Sequence, residues 1–170
     1  DALTEEKLNS LKDSVCSILE HQERLPEDFA PRLITMFVDR SHDIVWRDYC
    51  IQHLGSSYKR IADEQTRELT RRVFWKATDE IDGAIAGTAM LALTHNADLP
   101  GFDKKAIAAR AFELVGNPKC GNPVRVTCLQ VGADFGERRI LPLARELAVA
   151  GNSGPLRMSA IAAVGTLGDE

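Results

Sequence analysis

The residue types that carry most enzyme and metal chemistry are present, but they are not arranged for it. The four histidines, His21, His42, His53 and His95, form no HExxH and no His-Glu dipeptide. Zinc sites of that kind need two ligands one helical turn apart on one face. A lone histidine on a helix reads as a surface or cap residue. The four cysteines, Cys16, Cys50, Cys120 and Cys128, contain no CxxC pair and stand at no metal-ligand spacing from a histidine. Cys16, Cys50 and Cys128 fall on apolar faces of expected helices and read as small core residues. Cys120, in the loop between Pro118 and Pro123, is the expected exposed thiol. There is no GxSxG and no glycine loop built to cradle phosphate. No catalytic residue, metal site or cofactor is expected from these residues.

One charge cluster stands out. Lys59, Arg60, Arg67, Arg71, Arg72 and Lys76 fall within Ser57 to Ala77. On one continuous helix, turning about 100° per residue, Arg60, Arg67 and Arg71 share a stripe opposite Tyr58, Ile61, Leu69 and Val73. That stripe is the candidate site for an anion or an acidic partner. The competing reading is a solvated face, because Asp63, Glu64 and Glu68 can pair one turn away. Trp46 and Trp75 lie nearby and read as core residues ahead of base-stacking platforms.

These residues sit in a chain of 170 residues, 44% hydrophobic and 27% charged, as in ordinary globular domains. Aromatics are only 6%, which favours closely approaching helices over a β-sandwich. The net charge is −4, so the average electrostatics give no case for nucleic acid or an anionic membrane. The longest uncharged run, Gly83 to Ala97, is fifteen residues. A membrane span needs about 20, so the run reads as a buried helix and its Gly83/Gly87 spacing as close helix packing. Unpaired cysteines point to a reducing compartment. A first residue Asp1 rather than Met points to an upstream segment either removed, as a leader or pro-segment would be, or not included, so the compartment stays open between the cytoplasm and an exported form.

The hydrophobic periodicity is helical throughout. Leu8, Leu11, Val15 and Ile18 form one apolar stripe behind Thr4, an N-cap. Further helices are expected over about 28–38, 43–54 (closed by Gly55), 57–77, 81–97, 103–115, 122–135, 138–150 and 154–167. That makes nine helices, with no six-residue alternation beside a hairpin turn.

Four of these helices resemble one another. Arg47, Arg125 and Arg157 align; so do Cys50, Cys128 and Ala160, and Ile51, Leu129 and Ile161. A weaker copy places Ala86, Ala89 and Met90 at these positions. The small-residue position recurs at 50, 89, 128 and 160, spaced by 39, 39 and 32 residues. Repeats of this length built from two helices signal an α-solenoid, in which each pair buries its open face on the next. The second helices of the units are expected to be 57–77, 103–115 and 138–150, lining the concave side.

The segment from Gly154 to Asp169 resembles the first helix and turn of a HEAT repeat, particularly the bacterial type shared with phycobilin lyases. The resemblance extends over roughly residues 27–170. It implies an all-α, right-handed α-α superhelix: a HEAT-like solenoid of antiparallel helix pairs, with residues 1–24 as an extra N-terminal helix. It also implies that Asn122 and the three aligned arginines tie neighbouring units together. In such repeats Gly168-Asp169 leads into a partner helix, so the last unit reads as incomplete within a single domain over 1–170. The HEAT-type deoxyhypusine hydroxylases build a di-iron site from His-Glu pairs that this sequence lacks, and no chromophore-site motif supports a lyase. The expectation is a non-catalytic scaffold that binds a protein or peptide, with Arg60, Arg67 and Arg71 as the candidate contacts. The alternatives are a nucleic-acid-backbone binder of the DNA-alkylation-repeat kind and a HEAT-type lyase.

Overall fold

The computed structural model describes residues 4–168. Among them are nine α-helices and no strand: α1 (Glu5–Glu20), α2 (Phe29–Val38), α3 (Ile44–Ser57), α4 (Glu64–Ala77), α5 (Ile85–His95), α6 (Lys104–Gly116), α7 (Asn122–Asp134), α8 (Ile140–Leu147) and α9 (Gly154–Leu167), with one 3-10 turn at Tyr58–Arg60. None of the described helices is long and apolar enough to cross a membrane.

The stack has two layers. In one, α3, α5, α7 and α9 follow one another, each packed on the next. In the other, α2, α4, α6 and α8 each pack chiefly on the helix that follows them in sequence. The pairs are therefore α2 with α3, α4 with α5, α6 with α7 and α8 with α9. This frame is shifted by one helix from the expected pairing of 43–54 with 57–77. The last helix, α9, finds its partner in α8, which precedes it. Asp169 lies outside the described residues.

The recurrent small position explains why the first layer closes so tightly. Cys50, Ala89, Cys128 and Ala160 are all fully buried. The neighbouring large position is equally buried in three copies, at Ile51, Met90 and Leu129, whereas Ile161 is 51% exposed. Gly55 lies inside α3 and does not cap it. A Cβ there would stand 2.8 Å from that of Ala92 on α5, so the glycine answers to interhelical distance.

Two of the three aligned arginines, Arg47 and Arg125, tie helices together; the carbonyl ten residues before Arg157, that of Leu147, accepts instead from Asn152. The Arg47 Nε–H donates to the carbonyl of Phe37 at 2.7 Å, and the Arg125 Nε–H to that of Val115 at 3.0 Å, each ten residues back. Both satisfy a carbonyl in the last turn of the preceding helix, which has no partner within its own helix. Arg47 also reaches both oxygens of Glu80, at 2.7 and 2.8 Å, and so joins α3 to the turn before α5. Asn122 Nδ2 donates to Ser153 Oγ at 3.2 Å, linking the starts of α7 and α9.

Three further expectations are corrected. The segment 57–77 is not one helix: residues 61–63 separate the 3-10 turn from α4. Asp63 starts the new helix, its carboxylate accepting from both the backbone N–H and the hydroxyl of Thr66 at 2.7 Å. That cap outcompetes continuation of the helix. Cys120 is buried, 5% exposed, because the turn after α6 folds it inward, with its N–H donating to the Asn117 carbonyl at 3.1 Å. The third concerns the apolar stripe of α1.

Candidate functional site

That stripe faces solvent. Leu8, Leu11, Val15 and Ile18 are 39%, 54%, 48% and 60% exposed, while Asn9 and Cys16 on the other side of α1 are buried. The helix is held by its polar face. Asn9 Nδ2 donates to Asp43 Oδ1 at 2.7 Å. The same carboxylate caps α3 by accepting from the N–H groups of Val45 and Trp46. His53, buried on α3, lies between two carboxylates of α1, with Nε2 3.1 Å from Asp13 Oδ1 and Nδ1 3.3 Å from Glu20 Oε2. Ser56 donates to Glu20 at 2.5 Å. Burial opposes the charge on Glu20, but the hydrogen bonds from His53 and Ser56 outweigh it and hold this carboxyl below its ordinary range. Burial, with help from Glu20 and Asp13, pushes the Cys16 thiol up to about 11.

Between α1 and α2 this arrangement leaves a cleft of about 530 Å³. Leu11, Val15 and Leu19 form one wall, Phe29, Leu33 and Met36 the other, and Trp46 of α3 also lines it. Its charged side chains are Lys12, Asp28 and Arg32. Asp28 and Arg32 neutralise each other across 2.6 Å. Lys12 instead places its ammonium 5.0 Å from the centre of the Trp46 ring, a cation–π contact that leaves it without a carboxylate among the described residues. The Trp46 indole N–H is buried and has no acceptor. The site is thus an apolar trough with one carboxylate-free cation and no convergent acid–base pair.

The arginines singled out from the sequence do not assemble beside it. Arg60, on the 3-10 turn, donates to the carbonyls of Glu20 and Gln22 and so clasps the end of α1. Arg67 pairs with Glu64 at 3.2 Å. Arg71 pairs with Glu68 and donates to the Tyr58 hydroxyl at 2.8 Å. It therefore lies on the Tyr58 side, where the continuous-helix reading placed it opposite. Its side chain is only 15% exposed. All three arginines are spent on internal acceptors. Trp75 is half-buried against the core.

Other candidate groups are likewise structural. His53 cannot bring both carboxylates to one metal ion, because they meet opposite ring nitrogens. Among the described residues no group of three or more His, Cys, Asp and Glu is placed to hold a metal. All four cysteines are free and buried, and burial pushes the Cys50 and Cys128 thiols up to about 12. Asp48 is raised by burial, a hydrogen bond with Thr88 opposing the shift only in part.

The cleft was invisible in the sequence because amphipathicity was read with the usual sign, apolar inward. The available signal was the opposite face: Asn9, Asp13, Cys16 and Glu20 also follow helical spacing and match polar positions on α3. No family model matches the chain, and no curated protein or solved structure matches it.

Proposed function

We propose that this chain is a non-catalytic protein-binding module of HEAT-like build, and that it docks its partner in the cleft between α1 and α2. The observation that carries the reading is the outward apolar stripe of α1 running beside an apolar trough. Apolar surface left in water costs roughly 25 cal/mol per Å², and a contiguous exposed patch of this kind marks an interaction site. Leu8, Leu11, Val15 and Ile18, stepping by 3, 4 and 3, offer the ridge that a second helix packs against. The occupant that fits is an amphipathic helix laid along the cleft. Charge narrows it further. Asp28 and Arg32 cancel, which leaves Lys12 to meet an acidic residue flanking the partner's apolar face.

The test is a chemical-shift titration of the labelled protein with a short amphipathic model helix of about 15 residues, long enough to be helical when bound. One version carries leucines flanked by glutamate, another the same leucines flanked by lysine. The glutamate version should shift resonances of α1, α2 and Trp46 and bind more tightly than the lysine version. Shifts confined to other helices, or none, would contradict the proposal.

A further inference from the structure

A second groove opens on the flank of the stack, between α2 and α4, successive helices of one layer. It encloses about 300 Å³. Phe37 and Val73, both buried, form its floor, and Val38 and Leu69, 61% and 43% exposed, form its banks. Leu69, Arg72, Val73 and Lys76 follow helical spacing and share one face of α4. Arg72 and Lys76 are thus the members of the Ser57 to Ala77 charge cluster that the internal ties leave over.

The charges of this groove are unbalanced. Arg40, Arg47, Arg72 and Lys76 line it against one carboxylate, that of Glu80. Arg47 donates to both Glu80 oxygens at 2.7 and 2.8 Å, and Arg40 reaches both at 3.0 Å. Two guanidinium groups thus share one negative charge, and Arg40 remains 67% exposed. Arg72 is 69% exposed and stands 3.6 Å from Glu68, a carboxylate that Arg71 already engages. An exposed pair of that kind is worth little. Lys76 is exposed and has no partner among the described residues. Asp39, next to Arg40 in sequence, turns its carboxylate to the Ser41 N–H at 2.9 Å. A chain of net charge −4 therefore gathers uncompensated positive charge along one apolar groove.

We propose that this groove docks an extended acidic peptide segment in which one bulky apolar side chain lies between two carboxylates. The proposal is independent of the cleft between α1 and α2. Arg72 and Lys76 stand one turn apart on α4, about 6 Å along its axis. In an extended chain, residues two apart share a face at a spacing of about 6.6 Å, and the residue between them points the other way. Two acidic residues so spaced meet Arg72 and Lys76 over the rim, while the apolar residue between them drops toward Phe37 and Val73. Arg40, on the opposite bank, attracts the same strand. A single carboxylate on an alkyl chain would answer only one of these cations. A nucleic-acid backbone would match the charge but bring no aliphatic group to the apolar floor.

Calorimetric titration with short end-blocked peptides, read beside the amide shifts of the labelled protein, tests this. The first peptide carries leucine between two glutamates, the second leucine between two lysines, the third alanine between two glutamates. The first should bind, shift amides around 37–40 and 69–76, and weaken as salt rises. The second should not bind, and the third should bind about fivefold more weakly or worse. Arg72→Glu with Lys76→Glu should weaken the first peptide by about tenfold or more, while Val15→Glu on α1 leaves it unchanged. Octanoate, run in parallel, should bind more weakly than the first peptide. Equal binding of the first two peptides, shifts centred on α1, indifference to the charge reversals, or tighter binding of octanoate would each overturn the proposal. Should the charge reversals disturb the fold, the three peptides on the wild type decide.

Discussion

The Lys12 ammonium stands 5.0 Å from the centre of the Trp46 indole, on the edge of an apolar cleft and away from every described carboxylate. An exposed lysine on a helix ordinarily finds a carboxylate or water. On α1 the positions three and four residues from Lys12 are Leu8, Asn9, Val15 and Cys16, none of them a carboxylate, and the helix turns Asp13 and Glu20 toward His53 instead. The polar attachment of α1 and the carboxylate-free cation of the cleft are thus two results of one choice of face.

The Arg47 tie should dominate the stability of the first pairs. Its side chain is 5% exposed and Glu80 12% exposed. Arg47→Ala leaves a partly buried carboxylate with only the Arg40 contact at 3.0 Å. A loss of about 3 kcal/mol is expected, as for a broken buried pair. Arg125→Ala removes one hydrogen bond to a carbonyl and should cost about 1 kcal/mol. Urea denaturation of the two variants checks the ratio.

Gly55 and Gly165 should respond in opposite ways to alanine. At Gly55 the added methyl collides with Ala92, and overpacking of this kind costs about 1–3 kcal/mol. At Gly165 the space is open, and helix propensity should stabilise the fold by up to about 1 kcal/mol. Thermal melts of the two variants decide.

Attachment of α1 should weaken in acid. The carboxyl of Glu20 lies below its ordinary value of 4.5 in the folded chain. A depressed carboxyl adds stability that is complete above its unfolded pKa and is lost as pH falls through the lower, folded one. The protection factors of the α1 amides, taken against the intrinsic exchange rate at each pH, should therefore be steady near neutrality and fall below about pH 4.5. Glu20→Gln should lower protection of α1 at neutral pH and remove the part of its acid dependence that this residue supplies.

All four thiols should be silent toward an aromatic disulfide reagent in the native protein and react together on unfolding. Burial raises every one of them, Cys120 included. Rapid modification of one thiol in the native state would place Cys120 outside the core.

The sequence made the helices and their repeat legible because both rest on spacing. The position shared by Cys50, Ala89, Cys128 and Ala160 was found by alignment and is fully buried in all four copies. The pairing frame was not legible, since a helix between two neighbours offers the same pattern whichever it prefers. The break at 61–63 was hidden because Asp63 reads equally as a surface acid and as a cap. The single stripe expected of Arg60, Arg67 and Arg71 does not form because the helix breaks at 61–63 and each arginine has an internal acceptor within reach. The cleft escaped notice because α1 turns Asn9 and Glu20 inward and shows Leu11 and Ile18, and a polar inner face is recognised only once its partner His53 is placed.

The most direct test of the binding account uses Trp46 as its own reporter. With Trp75→Phe, Trp46 is the remaining tryptophan of the chain's two. Titration with the glutamate-flanked model helix should change its fluorescence saturably. Leu11→Glu together with Val15→Glu should abolish the change without altering the helical content. An unchanged Trp46 signal, or one that persists in the double variant, would contradict docking between α1 and α2.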